Sequence, residues 1–554
     1  MGNTAAQLLV QALVDLGAKK AFCVPGESYL SVLDAFHDQQ DHLDLITCRH
    51  ESGASNMAEA YGKLTGEPGL CFVTRAPGAT NASIGLHTGM QDSTPMILFI
   101  GQVAANQKDR EAFQEVDYTH MFGQMAKWVA QIDEPDRIGE YVARAWATAT
   151  SGRPGPVVLA LPEDMLSKVS SSAPVKPYKA VRPSPSQNDV AEAVAALSKA
   201  ERPLVLIGGS GWNEAGVDAL TKFVQKNDLP VACTFRRQGL LDNRHSHYVG
   251  DVGIAPNPKL AARVKDADVI LALGPRLGEM TTNDYTLIEP NPKQKLIHVH
   301  AGAEELGRVY QADIRINAGA SEMALALSGY DLPESASRKD WCEAAKADYD
   351  AWIQPVHNVG DVQLSEIYAH LRTILPRDAI LTNGAGNYAG WLHRFYQFGG
   401  LGTQLAPTSG AMGYGVPAAI AAKITRPERT VLCAAGDGCF LMTGQELATA
   451  KRYNAGVIFM VFNNSMYGTI RMHQEKNFPT RISATDLTNP DFVAYAESFG
   501  VAGHKAETTE QFKTAMAQAL QHDGPSLIEV IVDPDAISST TTLSAIRDNA
   551  LNSK

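Results

Sequence analysis

Asp437, set between Gly436 and Gly438, and Asn464, the second residue of an Asn463-Asn464 pair, are the residue types in this chain whose placement points to chemistry. A carboxylate and an amide present hard oxygen donors, and with a phosphate and water they suit magnesium. For both to meet one cation they must stand at the same edge of a sheet. The run Thr430–Ala435 (TVLCAA) reads as a buried strand, and Gly456–Phe462 (GVIFMVF) as the next. Between them Leu441–Tyr453 has helix formers at helical spacing. Strand, Gly-Asp-Gly, helix, strand, Asn-Asn makes a βαβ unit with Asp437 and Asn464 at the carboxyl ends of its strands, the edge where open α/β sheets bind ligands. Gly436 and Gly438 let the backbone turn sharply and approach a ligand closely. Cys439 lies beside the proposed cation, but a hard metal does not recruit a thiol, so core packing is its expected role.

At 554 residues the chain is too long for one hydrophobic core, and two to four domains are expected. A hydrophobic content of 45% and a charged content of 19% are those of a soluble globular protein. The net charge of −12 argues against nucleic acid as a partner. The 7 cysteines form no CxxC pair and read as reduced thiols of a cytoplasmic enzyme, not as a zinc or disulfide frame. Thr4 is placed to cap a helix with Ala6, Leu9, Leu13 and Leu16 on one face, ending at Gly17. Neither a basic signal-peptide region nor an apolar run long enough for a membrane is apparent.

The expected class is α/β, as three consecutive doubly wound parallel-sheet domains. Residues 1–169 alternate helix and strand signals, with strands at Lys20–Val24, Leu43–Cys48, Gly69–Thr74, Met96–Gly101 and Val157–Leu161. A Ser- and Pro-rich stretch, 170–187, reads as a linker. Residues 188–330 restart the alternation at Pro203–Ile207, Val231–Thr234, Val269–Leu273 and Lys295–Val299. A second transition at 331–362 carries Trp341 and Trp352 on a helix, and 363–554 is the third block, with a polar tail after Asp535.

The Gly-Asp-Gly to Asn-Asn pattern resembles the thiamine diphosphate binding motif, and the three α/β blocks look like the pyrimidine, central and diphosphate domains of thiamine diphosphate-dependent decarboxylases and carboligases. The likeness covers nearly the whole chain and is nearest to the acetolactate synthase group. It implies a magnesium ion held by Asp437, Asn464 and the main-chain carbonyl of Met466. It further implies that Glu51, in Arg49-His50-Glu51, is the catalytic glutamate facing the aminopyrimidine N1′. Glu51 is expected just after a buried strand, in an apolar setting that raises its pKa, so that it shares a proton with N1′ near neutral pH. Carried over in the same way, cofactor contacts fall at Pro25, Gly26, Asn81, Ala385, Gly386, Asn387, Gly410, Met412, Gly436, Gly438 and Gly468. Gly410 would offer its carbonyl, and Met412 its N–H, to the aminopyrimidine, with the Met412 side chain wedged between the two rings to bend the coenzyme. The Gly384–Tyr388 segment and the helix after Gly438 would face the diphosphate. Ser28, Gln102, Gln114, Met280 and His473 are the candidate substrate contacts, and for Gln102 and Gln114 loop stabilisation is an equal reading.

Three departures separate the chain from acetolactate synthases proper. Arg276 is present, but Met280 stands where the family has a second Arg to hold the acceptor's carboxylate. His473 replaces a substrate-facing Trp. His300 replaces the acidic residue that ends a strand in the flavin-binding central domain, which argues against flavin adenine dinucleotide (FAD). The resemblance implies decarboxylation of a small 2-oxo acid with carboligation. The alternatives are a lyase cleaving a hydroxyketone or 2-hydroxyacyl substrate without loss of CO₂, and a catalytically silent cofactor-binding homologue. In the family, Glu51 and Asp437 would come from different subunits, implying a homodimer or homotetramer.

Overall fold

In the computed structural model, which describes residues 2–553, the chain folds into three six-stranded sheets. The first contains β1 (Lys20–Cys23), β2 (Asp44–Thr47), β3 (Gly69–Val73), β4 (Met96–Gln102), β5 (Trp128–Gln131) and β6 (Pro156–Pro162). The second contains β7 (Pro203–Ile207), β8 (Val231–Cys233), β9 (Tyr248–Asp251), β10 (Val269–Leu273), β11 (Lys295–His300) and β12 (Ile314–Asn317). The third contains β13 (Ile380–Asn383), β14 (Gln404–Leu405), β15 (Val431–Gly436), β16 (Val457–Asn463), β17 (Ala502–Ala506) and β18 (Ser526–Ile531). Every strand pair is parallel. Parallel strands need crossover helices, which cover both faces and so select continuous apolar runs. All residues of β4, β6 and β10 are buried accordingly.

The order in the first sheet is β2-β1-β3-β4-β6-β5, and in the third β14-β13-β15-β16-β18-β17. These are the same topology. The central sheet, β12-β11-β10-β7-β8-β9, follows the other common doubly wound order. The order reverses between β1 and β3 in the first sheet and between β13 and β15 in the third, and those crevices are the places for ligands.

The chain clusters into two compact units. One is Met1–Val181 with Ile420–Thr425; the other is Arg182–Ala419 with Arg426–Lys554. In the first, the helix Ala5–Asp15 starts as expected: the Thr4 hydroxyl accepts the Gln7 N–H, and Gln7 returns the bond to the Thr4 N–H. The small-residue helix Glu51–Thr65 packs against the helix Ala76–Asp92 so closely that a Cβ on Gly85 would lie 2.5 Å from Ser55. In the second unit the helix Ala336–Trp352 fills much of the expected transition. The Trp341 indole donates to the Pro203 carbonyl at 2.9 Å, and Arg394 lies over the Trp352 ring.

Two expectations fail here. The helix placed over Leu441–Tyr453 is broken: a single turn, Asp437–Phe440, is followed by a 3₁₀ turn, Gly444–Glu446, and a short helix, Leu447–Arg452. Thr443 leaves helical geometry because its hydroxyl is committed to the Gly413 carbonyl at 2.7 Å. The strand before Glu51 is not buried, because β2 is a sheet edge with only Ile46 fully covered.

Candidate active-site residues

In the second unit Gly436 pairs with Phe462 in register, so Asp437 leaves β15 beside the point where Asn463-Asn464 leaves β16. Neighbouring strands run about 4.8 Å apart, which brings the two chain ends within reach of one small ion. Asp437 is 2% exposed. Its oxygens accept the Gly438 N–H at 2.9 Å and the Asn489 amide at 2.8 Å. Burial pushes its carboxyl above the ordinary value, and these hydrogen bonds offset only part of that. Among the described residues it has no ion-pair partner. A buried carboxylate without a counter-ion is the condition a bound cation relieves. No group of three His, Cys, Asp or Glu side chains that could hold a metal stands anywhere among the described residues. The donors at Asp437 and Asn464, one carboxylate plus neutral oxygens, would suit magnesium only with phosphate and water completing the shell.

The loop after β16 is tightly wound. Ser465 has a positive φ of 55°, Asn464 Oδ1 accepts the Met466 N–H at 3.3 Å, and the Gly468 N–H donates to the Met466 carbonyl at 2.9 Å. Asn463 turns away to Glu529 and Asn489, leaving Asn464 as the residue at the loop mouth. Neither Gly436 nor Gly438 takes a left-handed conformation, contrary to the sharp-turn expectation. They are glycine for proximity: a Cβ would come within 3.0 Å of the Tyr388 ring and 2.6 Å of the Tyr467 ring respectively.

Across the switch point, β13 runs into Gly384-Ala385-Gly386-Asn387. Asn387 is committed to protein partners: its amide donates to the Ile537 carbonyl at 3.0 Å, and its oxygen accepts the Thr469 hydroxyl at 2.7 Å. Gly410 has φ of +67° with nothing within 4 Å of where a Cβ would stand, and its carbonyl and the Met412 N–H make no hydrogen bond among the described residues. An open cradle flanked by a free acceptor and a free donor fits an aminopyrimidine edge. The half-buried Met412 side chain packs on the cluster containing Tyr388 and Cys439. The tail after Asp535 folds back: Ile537 and Leu543 pack with Met466, Met472 and Ile546, and Arg547 pairs with the buried Glu475 at 2.8 Å. His473, on the helix Gly468–Asn477, is exposed.

In the first unit Glu51 is half-buried in the first turn of its helix and accepts the Asn81 amide at 2.9 Å. Gly78 approaches its other oxygen, with a Cβ position 3.4 Å away. Pro25 and Gly26 follow β1 at the switch point, and Gly26 is tight against Thr74. Ser28 is committed within the protein. It is wholly buried, bonded to the Thr74 hydroxyl at 2.9 Å and wedged against Gly101. Gln102 is a loop holder: its amide donates to the Val116 carbonyl at 3.0 Å and its oxygen accepts the Val103 N–H. Gln114 is half-buried at φ of 64° beside Phe113, which is 73% exposed.

In the central sheet, the partly exposed Met280 lies on the turn Glu279–Thr282, and Arg276 lies 3.6 Å from Glu305. His300 ends β11 with its ring nitrogen bonded to the Gly302 N–H at 3.0 Å. That position offers no carboxylate, and the buried Glu305 nearby is committed to Arg276 and Arg308. Asn489, which orients Asp437, and Thr443, which holds the Gly413 carbonyl, belong to none of the motifs read from the sequence; Cys439, expected to pack in the core, does so and also accepts the Gly413 N–H. The Asn489-Pro490 turn was the only visible signal for the first.

Sheets of like topology, each with polar residues gathered at its switch point, are those of an α/β enzyme. Residues 3–121 match the thiamine pyrophosphate enzyme N-terminal TPP binding domain, 190–327 its central domain and 384–530 its C-terminal TPP binding domain. The chain belongs to the thiamine pyrophosphate enzyme family. It is 32% identical to the acetolactate synthase large subunit of Parasynechococcus marenigrum (strain WH8102), over 95% of this chain and 87% of that protein. It is 30% identical to the acetolactate synthase isozyme 2 large subunit of Escherichia coli (strain K12), over 95% of each. Against the acetolactate synthase of Bacillus subtilis (strain 168) it is 28% identical, over 96% and 93%. No helix among the described residues is long and apolar enough to cross a membrane.

Proposed function

We propose that the chain is a thiamine diphosphate- and magnesium-dependent carboligase or decarboxylase that acts on a small 2-oxo acid, making or breaking the C–C bond next to the carbonyl as acetolactate synthases do. Asp437 carries the reading: a buried carboxylate with no counter-ion among the described residues, at a switch point, where β15 ends beside the Asn463-Asn464 end of β16. When bound, thiamine diphosphate supplies a nucleophilic carbon and an electron sink. Asp437, Asn464 and the Met466 carbonyl hold the magnesium. The segment Ala385–Asn387 and the turn Gly436–Gly438 face the diphosphate, with Gly468 beside them. The Gly410 carbonyl and Met412 N–H would orient the aminopyrimidine, with the Met412 side chain beside it. Glu51 holds and moves the proton at N1′, with Asn81 fixing one carboxylate oxygen. Pro25 and Gly26 line the same end.

FAD is not part of the reading, because His300 and the Arg276–Glu305 pair leave its acidic contact unfilled. By likeness to the family, Glu51 and Asp437 of one site belong to different subunits, so the working form is a homodimer or a homotetramer. Seven buried, unbridged cysteines support a reducing, cytoplasmic setting. The proposed division is a pyrimidine-binding domain 1–169, a central domain 188–330 and a diphosphate-binding domain 363–554.

A second reading has its own support. Met280 provides no charge and Arg276 is paired with Glu305, so an acceptor carboxylate lacks its clamp. That favours an uncharged acceptor, or a lyase working in the cleavage direction. Turnover of pyruvate, 2-oxobutyrate, benzoylformate and a panel of 2-hydroxyketones separates the readings. Magnesium- and coenzyme-dependent CO₂ release supports the first. Hydroxyketone cleavage without CO₂ from any acid selects the lyase, and a loaded protein inert toward all of them is a silent homologue.

A further inference from the structure

Gly413, directly after Met412, is held from both sides by the segment that begins at Asp437. Gly413 stands at φ of +81°, where only glycine rests without strain. Its N–H donates to Cys439 Sγ at 3.2 Å, and its carbonyl accepts the Thr443 hydroxyl at 2.7 Å. Cys439 and Thr443 are buried, at 3% and 2% exposure. The same sulfur accepts the Tyr388 hydroxyl at 3.4 Å, and that hydroxyl accepts the Gly384 N–H at 3.1 Å. A Cβ on Gly384 would lie 2.4 Å from the sulfur. One thiol therefore joins the Gly384–Asn387 segment, the Met412–Gly413 peptide and the Asp437 turn.

We propose that Cys439 and Thr443 are positioning residues for the reaction: together they fix the Met412–Gly413 peptide relative to the metal-binding turn, and so set the spacing between the two ends at which the coenzyme is gripped. This rests on the site assigned under Proposed function. The physical case is that the Gly410–Met412 cradle is open and makes few bonds of its own, so its place depends on the residue that follows it. A sulfur bond on one side of that residue and a hydroxyl bond on the other leave it no free rotation. Misplacement by about 1 Å of a group that orients a reactant costs on the order of 100-fold in rate, whereas affinity resides in the diphosphate and metal contacts that Cys439 and Thr443 do not make.

The test uses the full-length protein with Cys439→Ala, Thr443→Val and Cys439→Ser. In the coenzyme-free protein, amide hydrogen exchange across 407–414 should accelerate at least about tenfold in the first two variants and stay near wild type in Cys439→Ser, which keeps an acceptor at the position. In the loaded protein, the first two should bind thiamine diphosphate and magnesium within about threefold of wild type, yet exchange the C2 proton of the coenzyme about 10- to 100-fold more slowly. Cys439→Ser should recover most of that rate. Unchanged exchange in both Cys439→Ala and Thr443→Val, or loss of affinity in proportion to rate, overturns the proposal. Failure of Cys439→Ser to recover also overturns it, and Thr443→Val reads the clamp independently should Cys439→Ala not fold. Wild-type protein that takes up no thiamine diphosphate refutes the site itself; wild-type uptake with indifferent variants refutes the clamp alone.

Discussion

Replacing Asp437 by Ala should leave the ligand-free protein nearly as stable as before while abolishing the stability that cofactor confers. In the ligand-free chain the substitution removes two hydrogen bonds, from the Gly438 N–H and the Asn489 amide. Each is worth about 1 kcal/mol net, somewhat more for a charged acceptor. It also removes the cost of burying a carboxylate that has no counter-ion, a term of similar size and opposite sign. The unfolding midpoint without ligand should therefore move by only a few degrees. In wild type, thiamine diphosphate and magnesium at about 100 times their dissociation constant stabilise the folded state by about 2.7 kcal/mol. For a domain of roughly 150–250 residues, the size of 363–554, that raises the midpoint by about 5–11 °C. In Asp437→Ala the shift should vanish, as it should in wild type treated with a chelator. Thermal unfolding followed by intrinsic fluorescence, with and without coenzyme and metal, gives all four numbers. A wild-type-sized shift in the variant would remove Asp437 from the metal site.

Glu51→Gln should keep thiamine diphosphate affinity, since an amide oxygen still accepts from Asn81, but slow C2 proton exchange by about 10²- to 10⁴-fold; NMR of acid-quenched coenzyme reads this, and exchange at the wild-type rate counts against the role. Gly438→Ala would set a Cβ 2.6 Å from the Tyr467 ring and should cost about 1–3 kcal/mol with weakened coenzyme binding, measured by denaturant titration. The Arg547 guanidinium holds the Glu475 carboxyl below its ordinary value, so the pairing of the C-terminal helix with the helix Gly468–Asn477 is fully present above about pH 4.3 and lost as pH falls through the lowered folded-state value. Cleavage within the C-terminal helix Leu543–Asn552 by a nonspecific, acid-tolerant protease should rise on acidification, and Arg547→Met should show that susceptibility already at pH 7. Equal resistance of both proteins at both pH values contradicts the latch.

Legibility followed burial. Interior strands such as β7 and β10 announce themselves as unbroken apolar runs, and their ends fall where the residues alone put them. The edges β5, β9, β12, β14 and β17 escaped. Half of an edge strand's surroundings is water, and Trp128–Gln131 or Ile314–Asn317 carry polar residues where a two-sided core would not allow them. The interior strands β13 and β18 were passed over too, where the glycine-rich and tail motifs drew the reading instead. At the candidate site, Asp437 and Asn464 were legible because their spacing belongs to a local βαβ unit. Ser28 shows the opposite: a hydroxyl near a strand end looks available in the sequence, and only the fold shows Gly101 and Thr74 packed against it. The partners of Asn489, Cys439 and Thr443 could not be read in advance. Each acts through a partner far along the chain, across 52, 26 and 30 residues respectively, and no periodicity encodes such a pairing.

The identical strand order of the first and third sheets has a consequence for variation. A repeated framework presents the same kind of crevice twice, and each can be furnished with its own side chains without disturbing the other. In this chain one crevice gathers Glu51 and Asn81, and the other Asp437, Asn463 and Asn489. The intervening sheet, wound in another order, ends β11 in a histidine bonded to the Gly302 N–H, a different furnishing again.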